Sequence, residues 1–247
     1  MLKARDILCV LKGVFMSINE LSNKLHTQYL SIANQAELNL PKLLEQKDFI
    51  KSREYHTLYG VGGLNLHRGW YCPSIVSDIV IGNCSRGRIL KNPRTSQYTY
   101  KYYFDENNRL TIVDMFYKNK YVSSEYIIYK GNVVEGYTLL SDNTMMRYSQ
   151  EQYSNGICSD YHYLDYNIIN KSPYNYHYES NNIKDMNMLC EISDLYIDIG
   201  NYDCRYFLFD IDSNGTLVSY DYSSCNSFPS GNPKHTVRIP RQLISAK

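Results

Sequence analysis

The chain has 247 residues, of which 43% are apolar and 21% are charged, and its formal net charge is +1. These values are typical of a soluble globular protein and exclude wholesale disorder. The balanced charge also argues against nucleic-acid binding as the main function, because proteins that bind nucleic acid usually concentrate an excess of basic residues on one face.

The seven cysteines and the N-terminal sequence indicate a cytoplasmic protein. The cysteines form no short-spaced pairs, and their odd number leaves one thiol over in any complete set of disulfides. The apolar stretch from Ile7 to Met16 imitates a secretory signal, but Lys12 interrupts it and no small-residue cleavage site follows. No apolar run approaches the ~20 residues that cross a bilayer, so we expect no association with membranes.

The helical signal is confined to the first quarter of the chain, where residues 1–63 form a predicted N-terminal helical segment. Ser17 and Glu20 have the spacing of a capping box, in which both side chains bind backbone N–H groups at a helix start. Apolar residues then recur at steps of three and four and predict one apolar helix face: Ile18, Leu21, Leu25, Tyr29, Ile32 and Ala36. A second helix is predicted from Pro41 to about Tyr55, because proline is tolerated at a first helical position.

Residues 64–97 are predicted to be an irregular connecting region. Glycine and proline interrupt it repeatedly, and its apolar segment at residues 75–81 is either a buried strand or a helical turn. A cysteine and a histidine can form a nucleophile and base pair, and the candidates lie in or near this region: His56, His67, Cys72 and Cys84. Nothing in their spacing requires them to meet, so we predict no catalytic residue.

Residues 98–247 are predicted to form an antiparallel β-meander. Most of the 26 tyrosines lie here in short alternating runs, and tyrosine suits a half-buried pleated surface. Turn signals separate the runs and predict strands of about seven to nine residues: Lys118-Asn119, Lys130-Gly131-Asn132, Asp142-Asn143 and Asn155-Gly156. Several strands are apolar on both faces. The sheet is therefore either covered on both faces, or its tyrosine rings pack while their hydroxyl groups stay in water.

After Asn167 the alternation weakens, and shorter strands are predicted within a loop-rich region. The predicted strands are residues 174–178, 192–199, 206–210, 216–222 and 236–239. His162 and His177 lie between tyrosines in strand-like runs, where we expect exposed positions.

A hairpin motif occurs twice. Tyr102-x-x-Asp105-x-x-Asn108-x-Leu110 aligns with Phe209-x-x-Asp212-x-x-Gly215-x-Leu217, in which the acid can bind the turn backbone. The first copy resembles the tyrosine-aspartate repeats of RHS-type proteins, whose unit reads Y-x-Y-D-x-x-G-R-L. Those proteins carry long arrays, whereas two degenerate copies occur here, so the resemblance implies a β-meander rather than an activity.

The second copy overlaps a possible calcium-binding loop. Asp210-Ile211-Asp212-Ser213-Asn214-Gly215, with Asp221 at the twelfth place, has the ligand spacing of an EF-hand. The flanking residues indicate strands instead of helices, and an aspartate replaces the usual bidentate glutamate, which favours a hairpin turn. If a metal binds, the expected ligands are Asp210, Asp212, Asn214 and Asp221, with the carbonyl group of Thr216.

The sequence therefore predicts an α+β protein, with the N-terminal helical segment packed on a large antiparallel sheet. It contains no phosphate-binding glycine loop and no cofactor motif, so we expect no cofactor. A tyrosine-rich sheet offers rigid contact area, which favours a non-enzymatic protein-binding module. The cytoplasmic composition and the RHS-like hairpin are together similar to bacterial immunity proteins, which implies a toxin as the partner.

Two further functions stay open. Stacked aromatic side chains also suit sugars, so a carbohydrate or cell-wall ligand is the alternative. Aromatic-platform repeats contain the Gly-Trp pair many times, however, and it occurs once here, at Gly69-Trp70. An enzyme that uses Cys72 or Cys84 with a histidine is the third.

Overall fold

The computed structural model describes residues 18–64, 66–74, 76–77, 87–91, 99–154, 156–184, 187–197, 200–211 and 217–224. It contains one long helix, α1 (Ile18–Ser52), and a short 3-10 turn (Gly69–Tyr71). The strands are β1 (His56–Val61), β2 (Arg88–Leu90), β3 (Tyr100–Phe104), β4 (Leu110–Tyr117), β5 (Lys120–Lys130), β6 (Val133–Leu139), β7 (Met145–Ser154), β8 (Ile157–Tyr166), β9 (Pro173–Lys184), β10 (Asn187–Tyr196), β11 (Asn201–Ile211) and β12 (Leu217–Ser224). The α+β prediction is confirmed.

All described strands belong to one antiparallel sheet. Strands β3 to β12 are neighbours in sequence order, while β1 pairs with the outer side of β3 and β2 pairs with β1. The predicted turns at Lys118-Asn119 and Gly131 have left-handed backbones, with φ of 48°, 63° and 64°. Such backbones match the twist of two-residue hairpins, so local turn chemistry sets this part of the meander.

The helix differs from the prediction because it is continuous. α1 runs for 35 residues with Pro41 inside it, where two helices were expected. Leu25, Ile32 and Leu43 are all buried in one cluster against the sheet, on both sides of the proline. Packing of one apolar face therefore outweighs the backbone hydrogen bond that proline cannot make. The prediction also missed β1, since residues 56–61 were assigned to the helical segment.

The strands after Asn167 are longer than predicted. β9 extends over twelve residues through Asn181 and Asn182, which were expected in a loop. The Asn181 side chain is buried, and its Nδ2 donates to the Cys158 carbonyl at 3.0 Å and to Glu179 Oε1 at 2.8 Å. A polar strand residue is stable there because its donors are satisfied.

The helix covers one face of the sheet. Register pairs place a row of large side chains across this face, and they pack against α1: Tyr126, Tyr137, Tyr148, Leu164, Tyr176 and Leu195. Tyr137, Tyr148 and Tyr176 are at most 1% exposed. These tyrosines are therefore core residues.

A second layer covers part of the opposite face. Residues 62–64 and 66–74, here called the strap, lead from β1 toward β2, and Trp70 and Tyr71 pack on Tyr100, Tyr102 and Phe104. The central strands are thus covered on both faces, by α1 and by the strap. In the described part of the chain, no helix has the length and apolarity to span a membrane.

Candidate functional site

The strap is tied to β3 by its backbone. The Tyr102 hydroxyl donates to the Arg68 carbonyl and accepts from the Trp70 N–H, both at 3.1 Å, and the Tyr100 hydroxyl donates to the Gly63 carbonyl at 3.2 Å. Gly69 has a φ of 55°, and a Cβ added there would lie 2.5 Å from a Tyr100 ring carbon. Only glycine allows this close approach of the strap to the sheet.

Arg68 holds the strap against the middle of the sheet. Its Nε and Nη2 donate to Glu125 Oε1 at 2.9 and 2.7 Å, its Nη1 lies 2.6 Å from Glu151 Oε1, and Nη2 donates to Ser149 Oγ at 3.1 Å. All three charged side chains are buried. We call Arg68, Glu125, Glu151 and Ser149 the arginine clamp. Breaking a buried ion pair of this kind leaves an uncompensated buried charge, so loss of either partner is expected to destabilise the fold strongly.

Two backbone features make room for the clamp. Gly136 on β6 lies beside Ser149 in register, and a Cβ at this position would lie 2.5 Å from Arg68 Nη2. Arg68 itself has a left-handed backbone with φ 59° and ψ 11°. Such a conformation is uncommon for a residue with a side chain, and it persists only where surrounding contacts over-determine it.

His67 extends the clamp to β8. Its Nε2 lies 2.9 Å from Glu125 Oε2, and its Nδ1 lies 2.7 Å from the Tyr161 hydroxyl. Burial lowers the pKa of His67 to about 4, so the ring is neutral at pH 7. In the tautomer whose Nδ1 accepts from Tyr161, Nε2 carries the proton and lies beside the Glu125 carboxylate without a well-aligned hydrogen bond. Both ring nitrogens are therefore used within the protein.

The carboxylates of the clamp differ in their titration. Burial raises the pKa of Glu125, but Arg68 and His67 outweigh it and hold this pKa well below its usual range. Burial raises the pKa of Glu151, and Arg68 only partly offsets the rise. Glu125 is therefore the permanent anion that faces the guanidinium group.

A second buried carboxylate fixes the end of the strap. Glu179 Oε2 accepts a short hydrogen bond from the Ser74 hydroxyl, and Glu179 Oε1 accepts from the Val76 N–H at 3.3 Å. The strap is thus attached to β5, β7 and β9 as well as to β3.

A cleft of about 360 Å³ lies between the strap and one end of the sheet. Its volume is within the range of ligand pockets. The strap contributes Leu64, His67, Arg68 and Cys72, and the strands contribute Met115, Glu125, Met146, Arg147, Tyr163, Asp165 and Tyr174.

Strand irregularities shape this cleft. Between β6 and β7, Thr138 pairs with Arg147 and Leu139 pairs with Met145, so Met146 is an extra residue. Tyr174 is likewise the extra residue between β8 and β9. A bulge re-aims side chains, and here Met145 joins the helix-side core whereas Met146 lines the cleft.

Arg147, at the cleft wall, is paired with the carboxylate of Asp165. Arg147 Nε donates to Asp165 Oδ1 at 2.8 Å, and the guanidinium carbon lies 5.0 Å from the centre of the Tyr163 ring. His177, on the next strand, stacks on the same ring at 4.8 Å. Tyr163 is therefore held between a cation and an imidazole ring.

The expectation of exposed histidines in the strands is wrong for His177. This residue is 5% exposed, and its Nδ1 lies 2.7 Å from Asp194 Oδ1. Arg205 Nη2 also contacts Asp194, at 2.5 Å. His162 is partly buried, its Nδ1 contacts the Tyr176 hydroxyl at 2.8 Å, and burial lowers its pKa to about 4. Both rings act in packing.

Of the four Cys/His candidates, two line the cleft. His67 and Cys72 line the same cleft, but His67 bonds Tyr161 and Glu125, and Cys72 Sγ lies 3.7 Å from the Ser74 carbonyl. His56 stacks on Phe104 at 4.7 Å. Cys84 lies outside the described residues. An enzyme that uses these thiols stays the third alternative.

The structure describes the whole first copy of the hairpin motif but only part of the second copy. In the first copy, Asp105 Oδ1 accepts from the N–H groups of Asn107 and Arg109 at 2.9 and 3.0 Å, and Asn108 has a φ of 59°. In the second copy, residues 212–216 lie outside the described part, while the flanking strands pair as a hairpin with Asp210 opposite Ser219. Within the described residues, no cluster of three or more His, Cys, Asp or Glu side chains is placed to hold a metal. The hairpin turn therefore stays the favoured interpretation, and calcium binding by Asp210, Asp212, Asn214 and Asp221 stays the open alternative.

The arginine clamp was not predicted from the sequence. The available signal was weak, since Glu125 follows Ser123 and Ser124 in β5 and Glu151 lies between Gln150 and Gln152 in β7. A charge at a core-facing strand position predicts a buried partner. The partner itself, Arg68, lies in irregular sequence and carries no such signal.

Comparison with known proteins gives no match: no family model, curated protein or solved structure is significantly similar to this chain.

Proposed function

We propose that this protein is a non-enzymatic protein-binding module, and that its partner contacts one edge of the sheet. The hairpin turns lie alternately at the two ends of the strands, and each of these two rows of turns is called an edge here. At one edge, formed by the turns β4–β5, β6–β7, β8–β9 and β10–β11, large apolar side chains are exposed: Tyr117, Tyr121, Ile168, Ile169, Tyr174 and Tyr196. We call these six residues the apolar turn edge. Ile169 is 87% exposed.

The described turns at the opposite edge are polar, and their charges are paired within the chain. Arg109 bonds Asp105 at 2.7 Å, and Lys130 bonds Glu135 at 2.8 Å. This difference between the described turns is the observation that carries the proposal, because grouped exposed apolar side chains mark interaction sites and tyrosine is frequent in binding hot spots. At the opposite edge Tyr55 is also exposed, but it lies at the start of β1 and outside the turns.

The size of the apolar turn edge suits a protein partner. It extends from β4 to β10, which is about 29 Å at 4.8 Å between strands. A standard protein interface covers about 800 Å² on each partner, which corresponds to a patch of similar width.

The charge of this edge favours an acidic partner. Lys118, Lys120 and Lys171 lie in its turns, with Asp142 as the acidic residue of the β6–β7 turn. Among the described residues, Lys120 and Lys171 have no carboxylate oxygen within 4 Å. A lysine without an ion-pair partner at the rim of an apolar patch, as Lys120 is, attracts carboxylates during encounter. Lys171 already acts on Asp142, whose pKa is lowered mainly by hydrogen bonds from Thr144 and also by this lysine.

In its narrower form, the proposal is that the chain is a bacterial immunity protein that neutralises a toxin in the cytoplasm. The RHS-like hairpin supports this form, together with the buried thiols of Cys72, Cys158 and Cys190. Buried reduced cysteines suit a reducing compartment.

The geometry gives less support to the other two functions. Sugar binding requires open aromatic faces, but the largest group of tyrosines is buried and Tyr163 lies between Arg147 and His177. Enzymatic use of His67 requires a ring nitrogen that is available to substrate, and both nitrogens contact protein groups.

Co-purification from the native cell tests the proposal. The tagged wild-type chain is expected to retain one companion at fixed stoichiometry. The Ile169→Asp and Tyr196→Ser variants are expected to lose it, while Asn132→Asp, at the polar edge, retains it. A preparation without a companion, or a companion that all variants retain equally, would contradict the proposal. For the immunity form, the companion must be a toxin whose activity the wild-type chain suppresses.

A further inference from the structure

We propose that the cleft beside the strap is an anchor pocket that takes one uncharged aromatic side chain of the partner protein. This inference rests on the proposed function and adds the site and the chemistry of the central contact.

The cleft is continuous with the apolar turn edge. Tyr174 belongs to that edge, is 41% exposed and also lines the cleft. Leu64 of the strap is 49% exposed and lines the cleft from the other side. A partner on the apolar turn edge therefore covers the mouth of the cleft, so a side chain at the centre of its surface can enter.

One part of the wall is apolar and adaptable. Met115 and Met146 lie on two strands, with Leu66 of the strap opposite. Methionine fits irregular shapes and makes favourable contacts with aromatic rings. The bulge that directs Met146 into the cleft interrupts the regular pairing of β6 and β7.

The charges that line the cleft exclude a charged anchor. Arg147 is paired with Asp165 at 2.7 Å, and Arg68 is paired with Glu125 at 2.7 Å. An ammonium or carboxylate group that enters would lose water and find each opposite charge already bonded. Hydroxyl groups of Ser77 and Thr138 also line the cleft and can bond the phenol or indole tip of a neutral ring.

The volume and rigidity of the pocket also favour a single side chain. A cleft of about 360 Å³ is near the lower limit for ligand sites and suits one ring. The arginine clamp fixes the strap that forms one wall, so little ordering is needed on binding. Aromatic anchors in such pockets dominate the energy of protein interfaces.

Methionine methyl signals provide the first test. The chain has seven methionines, and Met145 and Met146 are consecutive residues on opposite sides of the sheet. Their signals, and that of Met115, are assigned with single Met→Leu variants of the ¹³C-methyl-labelled protein. The probes are p-cresol and 3-methylindole, which represent tyrosine and tryptophan side chains.

Both probes are expected to shift the Met115 and Met146 signals to saturation and leave Met145 unchanged. Benzylamine and phenylacetate, the charged controls, are expected to bind at least about tenfold more weakly than the neutral probes. Shifts at Met145 without shifts at Met146, or equal binding of charged and neutral probes, would overturn the inference.

The companion protein provides the second test, with Met146→Gln as the variant and Met145→Leu as the control for folding. Loss of the companion by Met146→Gln, with an unchanged melting temperature, supports the anchor pocket. Retention of the companion by Met146→Gln, while Ile169→Asp loses it, overturns the pocket and leaves the proposed function standing. A chain that binds p-cresol but has no companion contradicts both the proposed function and the anchor.

Discussion

Arg68 and Glu125 join the strap to the central strand β5 through two hydrogen bonds, at 2.9 and 2.7 Å, across 57 residues of sequence. Both side chains are buried, so the pair is shielded from water. Because the strap forms one wall of the cleft, this contact links the stability of the fold to the shape of the proposed site.

Removing the charge of Glu125 is expected to destabilise the protein strongly. Glu125→Gln keeps the size of the side chain but leaves Arg68 without its main counter-charge, at a cost of about 3–5 kcal/mol in the free energy of unfolding. Glu106→Gln is the matched control, because Glu106 pairs with Arg53 at an exposed site and its loss is expected to cost less than about 1 kcal/mol. Urea unfolding measures both values, and similar costs for the two variants would refute the role of the clamp.

A side chain at position 136 is expected to displace the clamp. Gly136→Ala places a methyl group 2.5 Å from Arg68 Nη2, and overpacking of this kind costs about 1–3 kcal/mol. Gly131→Ala is the control, since a Cβ there meets no atom within 4 Å and only its left-handed backbone is strained, at about 1 kcal/mol. Gly136→Ala is also expected to shift the Met146 methyl signal, whereas Gly131→Ala is expected to leave this signal unchanged. A Gly136→Ala protein as stable as the wild type would show that this space is not needed.

Stability is expected to rise with pH between about 4 and 6.5. Burial lowers the pKa of His67 and of His162 to about 4, whereas the ordinary pKa of histidine in an unfolded chain is 6.5. In this interval the unfolded chain binds protons that the folded chain does not, so each histidine contributes about 3 kcal/mol that is lost as the pH falls. The raised pKa of Glu151 acts in the opposite direction. Urea unfolding at several pH values measures the slope, which His162→Gln is expected to reduce. An unchanged slope in this variant would contradict the buried, neutral state of the ring.

Association with the companion is expected to depend on salt. Lys120 and Lys171 lie at the rim of the apolar turn edge, so Lys120→Glu with Lys171→Glu is expected to lower the association rate about tenfold or more at low ionic strength. Lys130→Gln, at the polar turn edge, is expected to leave the rate unchanged. Stopped-flow measurements at two salt concentrations check this, and a rate that is independent of salt and of these lysines would rule out an acidic partner surface.

Local chemistry explains why the meander was predictable and the site was not. Turn residues act within a few positions, as in the Asp105 hairpin, so sequence alone locates the β3–β4 turn. Arg68 and Glu125 meet through tertiary packing, and the bulge at Met146 inserts one residue without a sequence signal. The continuity of α1 through Pro41 has the same origin, because burial of Leu43 against the sheet exceeds the local preference.

Amide hydrogen exchange of the protein with and without its companion tests the central claim most directly. We expect the companion to slow exchange at residues 117–121 and 168–174, at the apolar turn edge and the mouth of the cleft, and to leave residues 105–109 and 130–132 unchanged. Protection confined to residues 105–109 and 130–132 would place the partner at the polar edge and contradict the account.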